Sequence, residues 1–280
     1  MSSSAAILAD GYVTQYANLA GSALLVYDYL LNLDDEIEFI WKKSWSIGKV
    51  LFILSRYYSL LATAVVNNYV LFGGLTHSGI QYSKFQAWSG LITCMLVEAI
   101  LQMRLYALYL LDRRILLLMS AGFMISSAGT ASVLVLMWKG PHIHVQTELP
   151  FCLTTLPDYC YAVWIPRLTF DTFLCLLALI RGFQLTRDEY GGLNPVIPAG
   201  EHLMKVLISD CVGSYLMMFA VYLTFLTIWA KNPNLIETCF NLSVGIESIV
   251  GTRTILRIRK VIEIDDSVEA SAAMVNDMLK

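Results

Sequence analysis

The sequence predicts an all-α polytopic membrane protein, folded as a bundle of seven transmembrane helices. Hydrophobic residues make up 57% of the 280 residues and charged residues only 15%, whereas a soluble domain carries about a quarter charged residues. Apolar stretches recur along the chain, several of them about 20 residues or longer, which is enough for a helix to cross a bilayer. Lys and Arg collect in alternate links between these stretches, as in membrane proteins of fixed orientation.

Seven candidate spans follow in order, separated by charged, glycine-rich or proline-containing links. They are expected at residues 13–33, 47–72, 87–114, 115–138, 162–183, 206–230 and 235–254. The third stops at Asp112-Arg113-Arg114, which cannot enter hydrocarbon, and the fourth is uncharged and rich in the small residues that suit close helix packing. One transmembrane domain is therefore expected over residues 1–262. The acidic tail, 263–280, is expected to be weakly structured and cytoplasmic.

Two amphipathic segments accompany the spans. In LDDEIEFIWKKSW, which follows the first span, apolar residues recur at helical spacing with charged residues opposite. This pattern predicts a short helix lying in the membrane interface. After the seventh span, Ile255, Ile258 and Ile262 form a stripe beside basic residues, which predicts an eighth helix on the membrane surface.

The distribution of basic residues predicts the orientation. Links on one side contain Lys42, Lys43, Arg113, Arg114, Arg181, Arg187, Lys205, Arg253, Arg257, Arg259 and Lys260, and those on the other contain only Lys84, Lys139 and Lys231. The positive-inside rule places the richer side in the cytoplasm. The N-terminus is then extracellular or lumenal and the C-terminus cytoplasmic, the topology of G-protein-coupled receptors, in the plasma membrane or an endomembrane.

Two motifs carry a resemblance to a known group. YDYLLNLDDEIEFIW, from Tyr27 to Trp41, and the WSIGKVLFILSRYYSLL stretch after it resemble fungal seven-helix membrane proteins of unknown function, abundant in mushroom-forming species. RLYALYLLDRRI, from Arg104 to Ile115, resembles the end of their third span. The N-terminal part of those proteins is a domain of unknown function, which corresponds here to residues 20–65. The resemblance implies a receptor-like integral membrane protein and supplies no chemistry.

Ionisable side chains inside spans are costly, by about 2.5–3.5 kcal/mol each, so they are expected to pair or to line a cavity. The acids are Glu98, Asp171, Asp210 and Glu247, and the arginines are Arg56, Arg104 and Arg167. Arg167 and Asp171, four residues apart in the outer half, share a helix face and form with Glu98 a candidate ligand pocket. The candidates for a polar switch in the cytoplasmic half are Arg56, Arg104, Asp210 and Glu247. The alternative is that all of them only hold helices together.

The links supply further candidates. An acidic patch including Asp34, Asp35 and Glu36, and the basic turn Asp112-Arg113-Arg114, are candidates for coupling to a cytoplasmic signalling partner. The alternatives for the patch are pairing with Arg113, Arg114 or Arg257, or a solvated face. Cys152 and Cys160 lie in a link expected to face the oxidising side, where a disulfide is plausible chemistry.

Several function classes are disfavoured. The seventh span has no lysine for a retinal Schiff base, and all four histidines fall in links. We therefore expect no enzyme, no metal and no cofactor, and nothing indicates nucleic-acid binding. The expected partners are the lipid bilayer, a small ligand from outside or the lumen, and a cytoplasmic protein. A receptor-like switch of the bundle is the first interpretation. A transporter or channel with a path along Glu98, Asp171 and Asp210 is the second, and a purely structural membrane protein the third.

Overall fold

The computed structural model describes residues 2–67, 79–139, 144–146, 153–155, 158–190, 198–231, 242–260 and 263. This part is helical apart from one small hairpin, in which strand β1 (His144–Gln146) pairs antiparallel with β2 (Leu153–Thr155). The all-α prediction therefore holds for the described bundle. The hairpin lies in the long link between the fourth and fifth predicted spans.

The described part contains eight helices, of which seven are long. In chain order they are α1 (Ser2–Leu31), α2 (Leu33–Glu36), α3 (Ile47–Ser59), α4 (Gly79–Leu108), α5 (Arg113–Lys139), α6 (Trp164–Tyr190), α7 (Pro198–Lys231) and α8 (242–260). Wider i→i+5 turns continue α2 over Ile37–Trp41 and α3 over Leu60–Asn67, and a 3₁₀ turn, Asp158–Val163, precedes α6. The Ser46 side chain caps α3 by accepting a hydrogen bond from the Lys49 amide, a preferred way to satisfy a helix start.

Five helices of the described part are long and apolar enough to cross a membrane. They cover Ile47–Val66, Ser83–Leu108, Arg113–Lys139, Tyr159–Gln184 and Ile208–Lys231, and they correspond to the second to sixth predicted spans. The long helices α1 and α8 overlap the first and seventh predicted spans but are not among these five. The chain is thus a polytopic helical membrane protein.

The structure buries charged side chains and exposes large apolar ones to an extent that is unusual for a soluble protein. Nine Asp, Glu, Lys and Arg residues of the described part are buried: Asp28, Glu36, Lys49, Arg56, Glu98, Arg104, Arg167, Asp171 and Glu247. Large apolar side chains cover the outside instead, such as Leu117 and Ile125 of α5, which are 68% and 74% exposed. So large an apolar exterior suits contact with lipid rather than with water.

The helices α5 and α6 pack closely through small residues. A Cβ at Gly122 would lie 3.0 Å from the Phe170 ring, and Gly129 lies against Pro166. The Ser126 hydroxyl donates to the Pro166 carbonyl at 3.1 Å. Gly122, Ser126 and Gly129, three of the small residues of the fourth predicted span, therefore lie at a helix contact.

The eighth surface helix predicted after the seventh span is not present in the described part. Residues 242–260 form one uninterrupted helix, α8. Ile255, the first residue of the predicted stripe, packs against the buried group of Ile40, Phe52 and Leu256, so this end of α8 contacts α3 and the link before it. The stripe was misassigned because an apolar face against protein and one against a membrane surface have the same period.

Candidate functional site

One group of buried ionisable side chains lies between α4, α6 and α8, and we call it the central cluster. It consists of Cys94, Glu98, Arg167, Asp171 and Glu247. Cys94 and Glu98 are four residues apart on α4, as are Arg167 and Asp171 on α6, so each pair lies on one helix face. The two faces meet inside the bundle, where α8 contributes Glu247.

Two contacts join the helices within the central cluster. The Arg167 guanidinium donates through Nη1 to Glu98 Oε1 at 3.2 Å, and the Cys94 thiol donates to Glu247 Oε2 at 2.6 Å. Asp171 is 1% exposed, and neither of its carboxylate oxygens has a hydrogen-bond partner among the described residues. The arginine therefore bridges from α6 to α4 instead of pairing with the acid one turn along its own helix.

A small cavity lies beside this cluster. Its volume is ≈ 20 Å³, about the space that one water molecule requires. Cys94 and Arg167 line it, with Thr130 of α5 and Ser243 of α8. Trp164 forms another part of the wall, so a group in the cavity would contact four helices.

The Trp164 wall belongs to an aromatic group between α6 and α7. Its ring centroid lies 5.3 Å from that of Tyr222, 5.8 Å from Phe225 and 5.3 Å from Trp229. Tyr222 is also an electrostatic neighbour of Glu247. The aromatic rings thus connect the cavity wall with the acidic side of the central cluster.

The central cluster agrees in part with the sequence-based candidates. Glu98, Arg167 and Asp171, predicted to form a ligand pocket, do lie together. Glu247 was assigned to a separate switch in the cytoplasmic half, and this was wrong in position, because α8 places it against Cys94. The sequence-based candidates did not include Cys94, although its spacing of four from Glu98 was a usable signal.

Further polar side chains lead from the central cluster toward the end of the bundle that carries Arg257, and we call them the polar file. The side chain of Tyr215 lies close enough to those of Asp171 and Arg104 to interact electrostatically with both. Arg104 in turn neighbours Asp210, and Asp210 Oδ1 accepts a hydrogen bond from Arg257 Nη1 at 2.7 Å. Two of the predicted switch residues, Arg104 and Asp210, therefore belong to one chain of neighbours.

Arg56, another predicted switch residue, forms a second buried network with acids of α1 and α2. Its Nε lies 2.8 Å from Glu36 Oε2 and its Nη1 lies 3.6 Å from Asp28 Oδ2. Asp28 also accepts a hydrogen bond from Arg253 Nε of α8 at 2.6 Å. The Tyr57 hydroxyl donates to the other oxygen of Glu36 at 2.8 Å. We call these five residues the Arg56 network.

This network lies mostly in a segment that matches a protein family. Residues 16–61 match DUF6533, a family of unknown function. The match runs from α1 into α3 and includes Asp28, Glu36, Arg56 and Tyr57. It contains the YDYLLNLDDEIEFIW motif on which the sequence-level resemblance rests. No curated protein and no solved structure matches the chain.

The DUF6533 segment is attached to the bundle by the basic end of α8. Arg259 donates to the Phe39 carbonyl at 2.7 Å and to the Ser46 hydroxyl at 3.2 Å, and Lys260 pairs with Asp35 at 3.6 Å. These basic residues had been counted only as determinants of orientation. In the structure they also hold the segment in place.

The acidic patch predicted for coupling is divided by the fold. Asp34 is exposed and Asp35 pairs with Lys260, but Glu36 is 0% exposed and cannot form part of a docking surface. Neither alternative for the patch, a solvated face or pairing with Arg113, Arg114 or Arg257, applies to Glu36. The helical turn of α2 directs this one acid inward, where Arg56 pairs with it.

The remaining candidates lie in links. Asp112 caps α5 by accepting a hydrogen bond from the Arg114 amide at 2.9 Å, while Arg113 and Arg114 are exposed. Cys160 is buried, but Cys152 lies outside the described residues, so the disulfide stays a prediction. The tail beyond residue 263 lies outside them too.

Proposed function

We propose that this protein is a receptor-like seven-helix membrane protein, in which a small ligand arriving from the outer side changes the packing of the bundle. In this proposal α1 and α8 are the first and seventh spans. Both are long helices, and α8 is joined to the DUF6533 segment by Arg253 and Arg259. The sequence resemblance to fungal seven-helix proteins supports the same assignment.

The proposed orientation has an extracellular or lumenal N-terminus and a cytoplasmic C-terminus. Contacts between basic residues and helix ends support it. Arg181, late in α6, donates to the Leu108 carbonyl at the end of α4 at 3.1 Å. Arg257, late in α8, pairs with Asp210 in the first half of α7. Helices of alternating direction thus bring basic residues to the same end, as the positive-inside rule requires.

The observation that carries the proposal is the position of the cavity. It adjoins the buried Glu98–Arg167 pair and is lined by four helices. The polar file then connects this region to Arg257 at the basic end. A ligand that enlarged the cavity would separate groups whose contacts hold α4 to α6, and the basic end would respond through the same helices.

A compound screen against the purified protein in lipid nanodiscs tests this proposal. Compounds are first selected by an increase in the unfolding temperature. Selected compounds are then assayed for a change in distance between fluorophores at Arg113 and Gln184, both exposed. The expected result is a compound that changes the distance and loses its effect in Ala87→Leu, which fills the cavity.

The matched control is Ala107→Leu on the exposed side of the same helix. Ligands that stabilise all variants equally, without a distance change, would contradict the proposal.

A second candidate function, a transporter or channel, is favoured by the polar file. The file runs from Asp171 to Asp210 through buried Tyr215 and Arg104, as a path for a polar solute or ion would. Reconstituted vesicles provide the test. Flux that is lost in both Asp171→Asn and Asp210→Asn would favour transport, whereas a ligand-induced distance change without flux would favour the receptor.

A further inference from the structure

The central cluster contains more acidic than basic groups. Glu98, Asp171 and Glu247 lie around the single guanidinium of Arg167, so three ionised carboxylates would leave the cluster with a net charge of about −2 by formal charges at neutral pH. All four residues are buried. Charge of one sign inside a membrane protein is costly unless it is paired or neutralised.

Asp171 is the residue at which this excess is most apparent. Its two carboxylate oxygens are buried and have no hydrogen-bond partner in the part of the chain that the structure describes, and the same holds for Oε1 of Glu247. By contrast, Glu98 accepts from Arg167. A carboxylate without a donor is unfavourable in such surroundings, whereas a carboxylic acid carries no charge.

The groups around Asp171 leave few ways to compensate its charge. On α6 they are Arg167 and Cys175, on α4 Cys94 and Glu98, on α7 Tyr215 and Tyr222, and on α8 Glu247. The sequence of α5 has no charged residue between Arg114 and Lys139. Arg167 is therefore the one cation among these described groups, and its guanidinium already pairs with Glu98.

We propose that the central cluster is a proton-binding site, which shares two protons among Glu98, Asp171 and Glu247 while Arg167 balances the third carboxylate. The protons come from bulk water and return to it, so no other reactant is needed. Moving the Arg167 guanidinium out of the cluster would raise the number of protons that neutralise it from two to three. This site goes beyond the proposed function and applies equally to a receptor or a transporter.

Infrared spectroscopy tests the proposal on the full chain in nanodiscs without any ligand. Protonated carboxylic acids have a C=O stretching band, which shifts in D₂O, and the wild type is expected to show it at neutral pH. Asp171→Asn and Glu247→Gln are each expected to reduce the band. Arg167→Met is expected to increase it, because three carboxylates without a guanidinium require a third proton.

The control is Asp210→Asn, which removes an acid paired with Arg257 and is expected to leave the band unchanged. Absence of the band in the wild type, or a band that neither Asp171→Asn nor Glu247→Gln reduces, would overturn the proposal. If Arg167→Met does not fold, the two acid variants decide the question. Since no ligand is used, a failed receptor assay and a failed proton assay are distinguishable.

Discussion

Arg56 of α3 and Glu36 of α2 form a buried ion pair, with Nε 2.8 Å from Oε2. The pair crosses the turn between the first two long helices of the DUF6533 segment. The Tyr57 hydroxyl and the Trp41 indole donate to the second oxygen of Glu36 at 2.8 and 3.0 Å. The carboxylate is thus surrounded by donors from both sides of the turn, which makes it a fixed point in the segment.

Glu36→Gln is expected to destabilise the protein by about 3–5 kcal/mol, because Arg56 is then buried without its nearest carboxylate. The measurement is thermal or denaturant unfolding in detergent micelles. Asp34→Asn is the matched control, two residues away on the exposed side, and is expected to change stability by less than about 0.5 kcal/mol. Equal effects of the two substitutions would show that the ion pair is not a stabilising contact.

The central cluster provides a second comparison of paired and unpaired acids. Glu98→Gln removes the charge that faces Arg167 and is expected to cost about 3–5 kcal/mol in unfolding free energy. Asp171→Asn replaces an acid that has no hydrogen-bond partner among the described residues, so expression and stability are expected to stay within about 1 kcal/mol of the wild type.

Size-exclusion profiles and unfolding curves of these two variants provide the measurement. In the receptor proposal, Asp171→Asn is also expected to weaken the response to a ligand. If Asp171→Asn fails to reach the membrane while Glu98→Gln folds normally, the roles assigned to the two acids are reversed.

The sequence was sufficient to predict the helical membrane class and five of the spans, because a long apolar stretch has few alternatives in lipid. It also identified the costly intramembrane charges. It could not predict their partners, since the rotation of each helix about its axis is set by packing between helices. Glu247 illustrates this limit, because its depth and its contact with Cys94 depend on how α8 lies against α4.

The error over Glu36 has a related cause. In the sequence it belongs to an acidic run, and such runs are often a solvated face. A helix turns by about 100° per residue, so one member of the run points inward while Asp34 stays exposed. The signal that could have found it is Arg56, the one arginine inside the following predicted span.

The contact between α5 and α6 predicts the effect of adding a methyl group at a glycine. Gly122→Ala is expected to destabilise the protein by about 1–3 kcal/mol, the range for overpacking, because the new Cβ would lie 3.0 Å from the Phe170 ring. Gly213→Ala on α7 is the control, because the Cβ that alanine adds there would meet no atom of the described residues within 4 Å, apart from its chain neighbours and the backbone of its own helix.

In that control, alanine is expected to be neutral or to stabilise the helix by about 1 kcal/mol. Unfolding curves of both variants against the wild type give the comparison. A Gly122→Ala variant as stable as Gly213→Ala would mean that the Phe170 ring moves at little cost and that α5 is loosely held.

The orientation leads to a prediction about the links. A glycosylation acceptor, Asn-X-Ser/Thr, inserted between α5 and α6 within residues 140–157 is expected to be modified, and one inserted between α6 and α7 within residues 191–197 is not. The reason is that Arg181, at the cytoplasmic side in this proposal, contacts the end of α4 next to the Arg113-Arg114 turn. A gel-mobility shift after expression in a eukaryotic membrane system, reversed by a deglycosylating enzyme, is the measurement. Modification of the second link but not of the first would show that the bundle has the opposite orientation. The cavity would then lie on the cytoplasmic side, and any ligand would have to come from the cell interior.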